Sequence, residues 1–338
     1  MSRSPRPALI CMTPVKNEAW ILDRFLQCAS TWADHIVVAD QHSDDNSRAI
    51  AKTFDKVHVV DNPFPGYDEA GRQRLLIDEA RRIDIGDRQR VMIALDADEI
   101  LTANWMSHPE WDTLIHSPPG TVLGFRWVNV GPDVAGGWLD NESKPFGYVD
   151  DGAAHEGELI HSPRVPVPPD APWQHAESIH VLHYQYANWE RMLSKQRWYQ
   201  CWERVNKPDK RPVTIYRQYN FMHADIQNMK PLADDWLDGY EQRGIDMRTI
   251  ENDAPYHWDE SVVEMLHDHG PDTFRKIDIW DVDWRETSRE LGMPSNGDLS
   301  DPRGPFERQI HRWLSQTQSN MHSTTVRSVQ ALLRLAGW

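Results

Sequence analysis

Cysteine is scarce in this sequence of 338 residues, which contains only Cys11, Cys28 and Cys201. The three are widely spaced, and no two form a C-x-x-C pair. An odd number of isolated cysteines argues against a disulfide framework and against a zinc ribbon, and it favours a reducing compartment. We therefore expect a cytoplasmic protein.

Long apolar runs are also missing, since no stretch approaches the roughly 18 apolar residues of a membrane span. The short run at residues 8–15 contains a proline and predicts a buried strand rather than a signal peptide. An amphipathic helix is predicted at residues 323–335. Packing on its own domain is the favoured interpretation of this helix, with peripheral contact to the inner face of the membrane or to a protein partner as the alternative.

Basic charge is in deficit: 36 Lys and Arg stand against 52 Asp and Glu, for a net charge of −16. This argues against strong nucleic-acid binding, which depends on neutralising phosphates. It leaves room for a small phosphorylated ligand held by a metal cation and one or two arginines. The sequence also lacks a P-loop, a G-x-G-x-x-G after the first strand, a G-x-S-x-G and a Cys–His pair, which removes several competing enzyme classes.

The first 100 residues alternate between strand and helix patterns. Strands are predicted at residues 8–15, 35–39, 57–60 and 91–95, and helices after Asn17 as N-cap, at 46–54 and at 67–83. This order predicts an α/β fold with a parallel sheet and right-handed crossovers. Ligands of such sheets bind outside the carboxyl ends of the strands. Val15, Asp40 and Asp96 all fall at such ends, so we expect them to border one crevice.

The pattern changes after residue 120. Strands are predicted at 121–130 and 178–186, with Gly, Pro and Asp clusters at 131–152 and a long helix at 187–207. The remainder is Trp-rich, interrupted by prolines and mainly helical. We therefore predict a catalytic domain at residues 1–207 and a helical region at 208–338 for acceptor or partner binding.

Three motifs follow one another in the first part: VKNE at 15–18, DQHSDD at 40–45 and DADE at 96–99. In this order and context they resemble the family-2 glycosyltransferases with a GT-A fold. The resemblance is good over residues 8–101, weak to about residue 195, and does not reach the C-terminal region. It implies a Rossmann-like, mainly parallel sheet flanked by helices, and transfer of a sugar from a nucleotide-diphosphate sugar to an acceptor hydroxyl with inversion.

The resemblance also implies a donor site. The backbone at Pro14 and Val15 would border the nucleotide. Asp40 would accept a hydrogen bond from the base, which fits uracil or guanine and thus a UDP-linked or GDP-linked donor. Asp96 would contact the ribose or the metal shell, with Ala97 beside the donor.

The resemblance further implies that an arginine or asparagine near the start of the helix predicted at 67–83 contacts the diphosphate, and a guanidinium fork fits phosphate oxygens well. The candidates are Arg72 and Arg74. Two residues apart on a helix, they diverge by about 200°, so only one can face the site. Arg72 is preferred, and a surface role is the alternative.

A metal site is predicted at Asp98, with Asp96 beside it and His183 as a third ligand. Mg²⁺ and Mn²⁺ prefer carboxylate oxygens, and substrate phosphates often complete their shell. The segment SIHVLHYQY at 178–186 supplies His183, where the family resemblance implies a late histidine ligand. The alternatives are a solvated acidic turn and a core histidine.

Glu156, in AAHEGEL, is the candidate general base that removes the proton of the acceptor hydroxyl. His155 precedes it, and adjacent residues of an extended segment point in opposite directions. Asp150 and Asp151 are the reserve candidates, and a plain loop glutamate is the alternative.

Two other functions stay open at this stage. A sugar-phosphate nucleotidyltransferase has a related nucleotide half, but it usually carries a Gly-rich basic loop after the first strand, which PVKNEAW is not. The second alternative is a protein that binds a nucleotide sugar and keeps the fold but has no catalytic turnover. It stays open because fold and motif alone do not establish chemistry.

Overall fold

The structure, a computed structural model, describes residues 5–64, 66, 68–251, 256–293 and 297–338. The chain divides into two compact units: unit 1 comprises residues 1–187 and 230–251, and unit 2 comprises residues 188–229 and 252–338. The division falls before the long helix at 189–206, not after residue 207, and residues 230–251 return to unit 1.

Unit 1 contains every strand of the described residues and five α-helices. The strands are β1 (Ala8–Val15), β2 (His35–Asp40), β3 (Val57–Asp61), β4 (Arg90–Ala94), β5 (Glu99–Leu101), β6 (Val122–Val130), β7 (Gly137–Val149), β8 (Trp173–His175) and β9 (Val181–His183). The helices of unit 1 are α1 (Ala19–Trp32), α2 (Ser47–Ala51), α3 (Glu69–Arg82), α4 (Glu110–Ile115) and α8 (Asp238–Glu241). Unit 2 is helical, with α5 (Trp189–Asn206), α6 (Pro212–Tyr219), α7 (Met222–Asp225), α9 (His257–His269), α10 (Trp284–Glu290), α11 (Pro305–Gln316) and α12 (Thr324–Leu335).

The strands form one sheet in the order β3-β2-β1-β4-β7-β6-β9-β5, with β8 beside β6. The first four strands are mutually parallel, and β7 joins β4 antiparallel. Alternate residues of β1 enter different cores: Leu9 and Cys11 pack on the side of α1, whereas Ile10 and Met12 pack on the side of α3. A strand buried on both faces explains the continuous apolar run in the sequence. The predicted α/β class, with a mainly parallel sheet flanked by helices, is confirmed.

Most predicted elements of the first hundred residues are found within one or two residues of their bounds. The helix predicted from residue 67 begins at Glu69, and residue 67 itself lies outside the described residues. No strand was predicted at residues 131–152, where Gly, Pro and Asp cluster, but this stretch includes the strand β7. Pairing with β6 along its length, with two register shifts, overrides its poor local strand propensity. The strand predicted at 178–186 is confined to the three residues of β9, and β5 was not predicted.

Unit 2 has its own apolar interior. Helices α5, α6 and α9 pack around a cluster that includes Cys201, Phe274 and Trp284, and a second, smaller cluster joins α6 and α11. Helix α12 buries Val326 against this unit, so the terminal helix packs on its own domain as predicted. The helical, Trp-rich C-terminal region is confirmed.

Candidate functional site

Three of the predicted site residues, Val15, Asp40 and Asp96, lie at the carboxyl edge of the parallel strands. In the register of the central strand, Val15 is opposite Asp40 of β2. On its other side, Met12 is opposite Ala94 of β4, so Asp96 follows beside the end of β1. The loops after β1, β2 and β4 therefore meet, because parallel strands place their carboxyl ends at the same edge.

The loops after β1 and β2 are held together by side chains of the second loop. The backbone amides of Asn17, Glu18 and Ala19 donate to the Ser43 hydroxyl at 3.0 Å, the Ser47 hydroxyl at 2.8 Å and the Asp45 carboxylate at 2.9 Å. The first amides of α1 thus find acceptors in a neighbouring loop. The prediction that Asn17 is the N-cap of α1 was wrong, because Glu18 occupies that position.

Asp40 is buried, with 1% of its surface exposed. One carboxylate oxygen accepts the Ser43 backbone N–H at 3.3 Å, and the other accepts Arg48 at 2.9 Å. Arg48 also pairs with Asp61 at 2.6 Å. A buried carboxylate needs such partners, and these hold the Asp40 side chain at the end of β2.

Asp98 and His183 lie side by side although 85 positions separate them. His183 Nε2 is 3.9 Å from Asp98 Oδ2, and both side chains are nearly buried. The antiparallel pair β5–β9 brings them together, since Glu99 is opposite His183. The Tyr184 backbone N–H donates to the Asp98 carbonyl at 2.7 Å, which fixes the turn from the other side.

The ring of His183 is held in a defined orientation. Its Nδ1 lies 3.1 Å from the Asn129 amide oxygen, its face stacks on Trp127 at 4.8 Å between centroids, and Tyr186 meets it edge-on at 5.7 Å. An acceptor at Nδ1 selects the tautomer with a proton there, so Nε2 keeps its lone pair on the side of Asp98.

The acidic turn carries a cation that the sequence analysis missed. Arg164 pairs with Asp96 at 2.7 Å and with Glu99, which is completely buried. Glu99 also accepts Trp127 Nε1 at 2.8 Å and the backbone N–H of Asp96 at 2.8 Å. The sequence offered one signal: Arg164 is the only charged residue of SPRVPVPP at 162–169, and a lone charge in an apolar stretch needs a partner.

The charges of this cluster shift two pKa values. Burial raises the pKa of Glu99 to about 7, although Arg164 opposes the shift. For Arg164, burial acts to lower the pKa, but the carboxylates of Asp96 and Glu99 outweigh it and raise the pKa above its ordinary range. Arg164 is therefore permanently charged, and it neutralises part of the acidic turn.

Of the two arginines proposed for the diphosphate, Arg72 is largely buried and Arg74 is exposed. Arg72 lies 3.8 Å from Glu69, at the first turn of α3. Glu69 also accepts the backbone N–H of Ser162 at 2.7 Å, so it joins α3 to the segment that carries Arg164. The two arginines point to different surroundings, as their helical spacing predicts.

His155 is buried and Glu156 is exposed, so the two point in opposite directions as expected of an extended segment. Burial lowers the pKa of His155, with Arg74 acting in the same direction, so this histidine is neutral. A side chain at the next position, Gly157, would contact Ala70, which places this segment against the start of α3.

The reserve candidates lie elsewhere. Asp150 follows β7 and pairs with Arg81 and Arg90 beside the amino end of β4, the edge opposite to that of Asp96. Asp151 accepts the Tyr148 hydroxyl at 2.6 Å. Neither is brought to the carboxyl edge.

Within the described ranges, no group of three or more His, Cys, Asp or Glu side chains is arranged to hold a metal ion. Asp98 and His183 form a pair. Bonds of about 2.0–2.1 Å in octahedral geometry place neighbouring ligand atoms about 3 Å apart, so the 3.9 Å between these two atoms has to shorten when one ion binds both. Carboxylate and imidazole suit Mn²⁺, and Mg²⁺ and Mn²⁺ commonly complete their shells from substrate phosphates. The donor pair fits such an ion.

No family model matches the chain, and no curated protein matches it. Similar solved structures include glucosyl-3-phosphoglycerate synthase from Mycobacterium tuberculosis with Mn²⁺, UDP and glucosyl-3-phosphoglycerate (17% identity, 36% of this chain, 43% of that chain, TM-score 0.25). A second is 4-diphosphocytidyl-2C-methyl-D-erythritol synthase from Anaerococcus prevotii (10% identity, 42% of this chain, 70% of that chain, TM-score 0.28). A third is HddC from Yersinia pseudotuberculosis (8% identity, 52% of this chain, 93% of that chain, TM-score 0.31). The chain spans less than half of the first of these proteins, and likenesses this limited do not carry an activity to it.

Over the part of the chain that the structure describes, no helix combines the length and the apolar character needed to cross a membrane.

Proposed function

We propose that this protein is a metal-dependent glycosyltransferase that moves a sugar from a nucleotide-diphosphate sugar to an acceptor hydroxyl. The observation that carries the proposal is the meeting of Asp98 and His183 at the carboxyl edge of the sheet, 3.9 Å apart. The pairing of β5 with β9 brings a carboxylate and an imidazole together at this edge, and these are two ligand types that suit Mn²⁺.

The loops around this pair supply a donor site. Pro14 and Val15 end the central strand, and Asp40 lies beside them with its carboxylate held by Arg48. In the proposed complex Asp40 binds the base of a UDP-linked or GDP-linked donor. Asp96 faces the ribose or the metal shell, with Ala97 beside it.

The metal would be held by Asp98 and His183, and it would supply positive charge to the diphosphate leaving group. Arg72 lies at the start of α3, and in the proposed complex its guanidinium contacts the phosphate oxygens. Asn129 keeps His183 in the tautomer that presents Nε2 to the ion. Arg164 holds Asp96 and Glu99 and so fixes the turn on which Asp98 stands.

Glu156 is the proposed base that takes the proton from the acceptor hydroxyl as that oxygen attacks the anomeric carbon. Its exposed side chain is accessible to an acceptor, while the neighbouring His155 is buried. A single displacement of this kind inverts the configuration at the anomeric carbon.

Calorimetric titration of UDP and GDP, with and without Mn²⁺, tests the proposal. We expect Mn²⁺ to strengthen binding of one of them in the parent protein. In Asp98→Ala this dependence should be lost, and in His183→Gln it should weaken. His180→Gln is the matched control, because His180 is a buried histidine three residues away that packs on Trp236 instead. Nucleotide affinity that is the same with Mn²⁺ and with EDTA would remove the metal from the proposal.

Product analysis separates the two enzyme classes. A glycosyltransferase releases a nucleoside diphosphate from the nucleotide sugar. A nucleotidyltransferase joins a sugar phosphate to a nucleoside triphosphate, and the triphosphate releases pyrophosphate. In the loop after β1, Lys16 donates to the carbonyl of His42 at 2.7 Å. This lysine is engaged in joining two loops, which favours the first class.

A further inference from the structure

Unit 2 contains a cavity of about 680 Å³ that takes no part in the site described above. One wall is α11, and the opposite wall is formed by the end of α6 and by α7. Arg308, Arg312 and Ser315 line the first wall. Their spacing of four and three residues places them on one face of α11. The polar face of this helix therefore borders an open, solvent-accessible cleft.

The cavity is cationic, although the chain as a whole carries a net charge of −16. Three arginines line it, and the single acidic residue among its lining is Asp278. Arg303 is held from behind, since Asp301 accepts two of its N–H groups and His311 Nδ1 lies 2.9 Å from a third nitrogen. Burial lowers the pKa of His311 to about 4, so at neutral pH the ring is uncharged and its Nδ1 accepts a hydrogen bond from the Arg303 N–H.

The other two arginines are less constrained. Arg308 shares Asp301 with Arg303 at 3.0 Å. Arg312 has no carboxylate within ion-pair distance in the described part of the chain. An arginine fork of this kind suits phosphate or carboxylate oxygens, and the bonds are charge-assisted. Asp301 thus compensates Arg303 and Arg308 in part, and Arg312 supplies the positive charge that an anion can neutralise.

The rest of the lining is rich in side-chain amides and hydroxyls, among them Asn220, Gln227, Gln318 and Ser319. Both ends of the Gln318 amide are bonded to Arg217. Side chains such as Gln227 and Ser319 can donate and accept hydrogen bonds, which suits hydroxyl groups of a ligand. A second cavity of about 320 Å³ shares Gln227, Gln318 and Ser319 with the first. Volumes of this size match sites for small organic molecules and exceed the need of a bare ion.

We propose that this cavity binds a small polyhydroxylated anion, a sugar phosphate or a sugar acid. Arg312 and Arg308 bind the phosphate or carboxylate, and the amide side chains bind the hydroxyls. The proposal does not depend on the glycosyltransferase reaction, because every lining residue belongs to unit 2 and none belongs to the edge of the sheet.

Titration calorimetry on the full chain tests it, with glucose 6-phosphate, glucuronate, glucose and inorganic phosphate as probes. We expect glucose 6-phosphate or glucuronate to bind, glucose not to bind, and inorganic phosphate to bind more weakly than the organic anion. The anion that binds identifies the phosphate or the carboxylate as the recognised group. Arg312→Gln should lower the affinity by about 10-fold to 100-fold, as expected for one lost charge-assisted hydrogen bond.

Two controls decide between outcomes. Arg327→Gln removes an equal charge from α12, away from the cavity lining, and should leave the affinity unchanged. Asp98→Ala should also leave it unchanged. The proposal is overturned if neither organic anion binds at millimolar concentration, or if Arg327→Gln weakens binding as much as Arg312→Gln does. A loss of anion binding in Asp98→Ala would place the anion at the sheet edge and overturn it too.

Discussion

Replacing Arg164 with methionine removes the only cation that contacts Glu99 in the described residues. The change keeps an unbranched apolar side chain over the rings of Phe146 and Trp127, which lie 5.0 Å and 5.6 Å from the guanidinium. What is lost is the charge, together with the hydrogen bonds to Glu99 and Asp96. Glu99 remains completely buried beside two other carboxylates.

Breaking a buried ion pair by removing one partner costs about 3–5 kcal/mol, because the other charge is left uncompensated. Protonation of Glu99 can reduce this cost, since burial has already raised its pKa to about 7 from an ordinary value of 4.5. Loss of Arg164 raises this pKa further. The folded variant then binds a proton more tightly than the unfolded chain, so its stability falls as the pH rises above 4.5. We expect the cost of Arg164→Met to be larger at pH 8 than at pH 6.

Thermal unfolding followed by circular dichroism measures the effect, with Arg164→Met, Glu99→Gln and the double variant completing a cycle. The double variant should be more stable than Arg164→Met alone, because the uncompensated charge is gone. Arg82→Met is the control: its ion pair with Glu79 is on the surface, and such pairs contribute about 0–1 kcal/mol. Additive effects in the cycle, or a loss for Arg164→Met no larger than for Arg82→Met, would refute the reasoning.

Three further predictions concern single residues. Asp40→Asn should weaken UDP or GDP binding by about 1.5–3 kcal/mol without changing the circular dichroism spectrum, because one charged hydrogen bond is lost; unchanged calorimetric affinity for both nucleotides would remove Asp40 from the site. Glu156→Gln should reduce turnover by about 10²–10⁴-fold while donor affinity stays constant; the exposed neighbour variant Glu158→Gln should transfer at the parent rate, and equal rates in both variants would place the base elsewhere. His311→Gln should flatten the pH dependence of the free energy of unfolding. Burial lowers the pKa of His311 from 6.5 to about 4, so the unfolded chain binds a proton there at a higher pH than the folded protein does. The parent therefore loses at most about 3 kcal/mol of stability as the pH falls from 6.5 to 4. Urea unfolding at pH 7 and pH 4.5 measures this, with His322→Gln as the control, and parallel losses in the parent and His311→Gln would contradict it.

The parallel half of the fold could be predicted from sequence because its signals are local. The run from Ala8 to Val15 is apolar at every position but one or two, and the helices on either side alternate with it. The strand β7 could not, since Gly137, Pro145 and Gly147 argue against a strand locally. Its pairing with β6 and β4 decides the outcome, and this pairing is a property of the assembled sheet.

The candidate site likewise contains residues that could be predicted from the sequence and residues that could not. Residues that follow strands directly, such as Asp40 and Asp96, could be placed from the order of elements alone. His183 was expected near Asp98 only through a family resemblance, and the structure brings the two together. Arg164 and Asn129 were missed, because each acts on a partner more than fifty positions away. A sequence shows which groups carry charge but not which distant group compensates it.

The position of β5 at the end of the sheet affects the temperature at which the protein loses activity. Strand β5 has three residues and, in the described part of the sheet, pairs only with β9. Its three residues are buried, but opening so short a ladder breaks fewer backbone hydrogen bonds than opening the longer central strands β1 and β2 does. Amides of residues 99–101 should therefore exchange with solvent well before those of β1. Opening there separates Asp98 from His183 while most of the secondary structure persists. Heat should accordingly inactivate the protein at a lower temperature than it unfolds it.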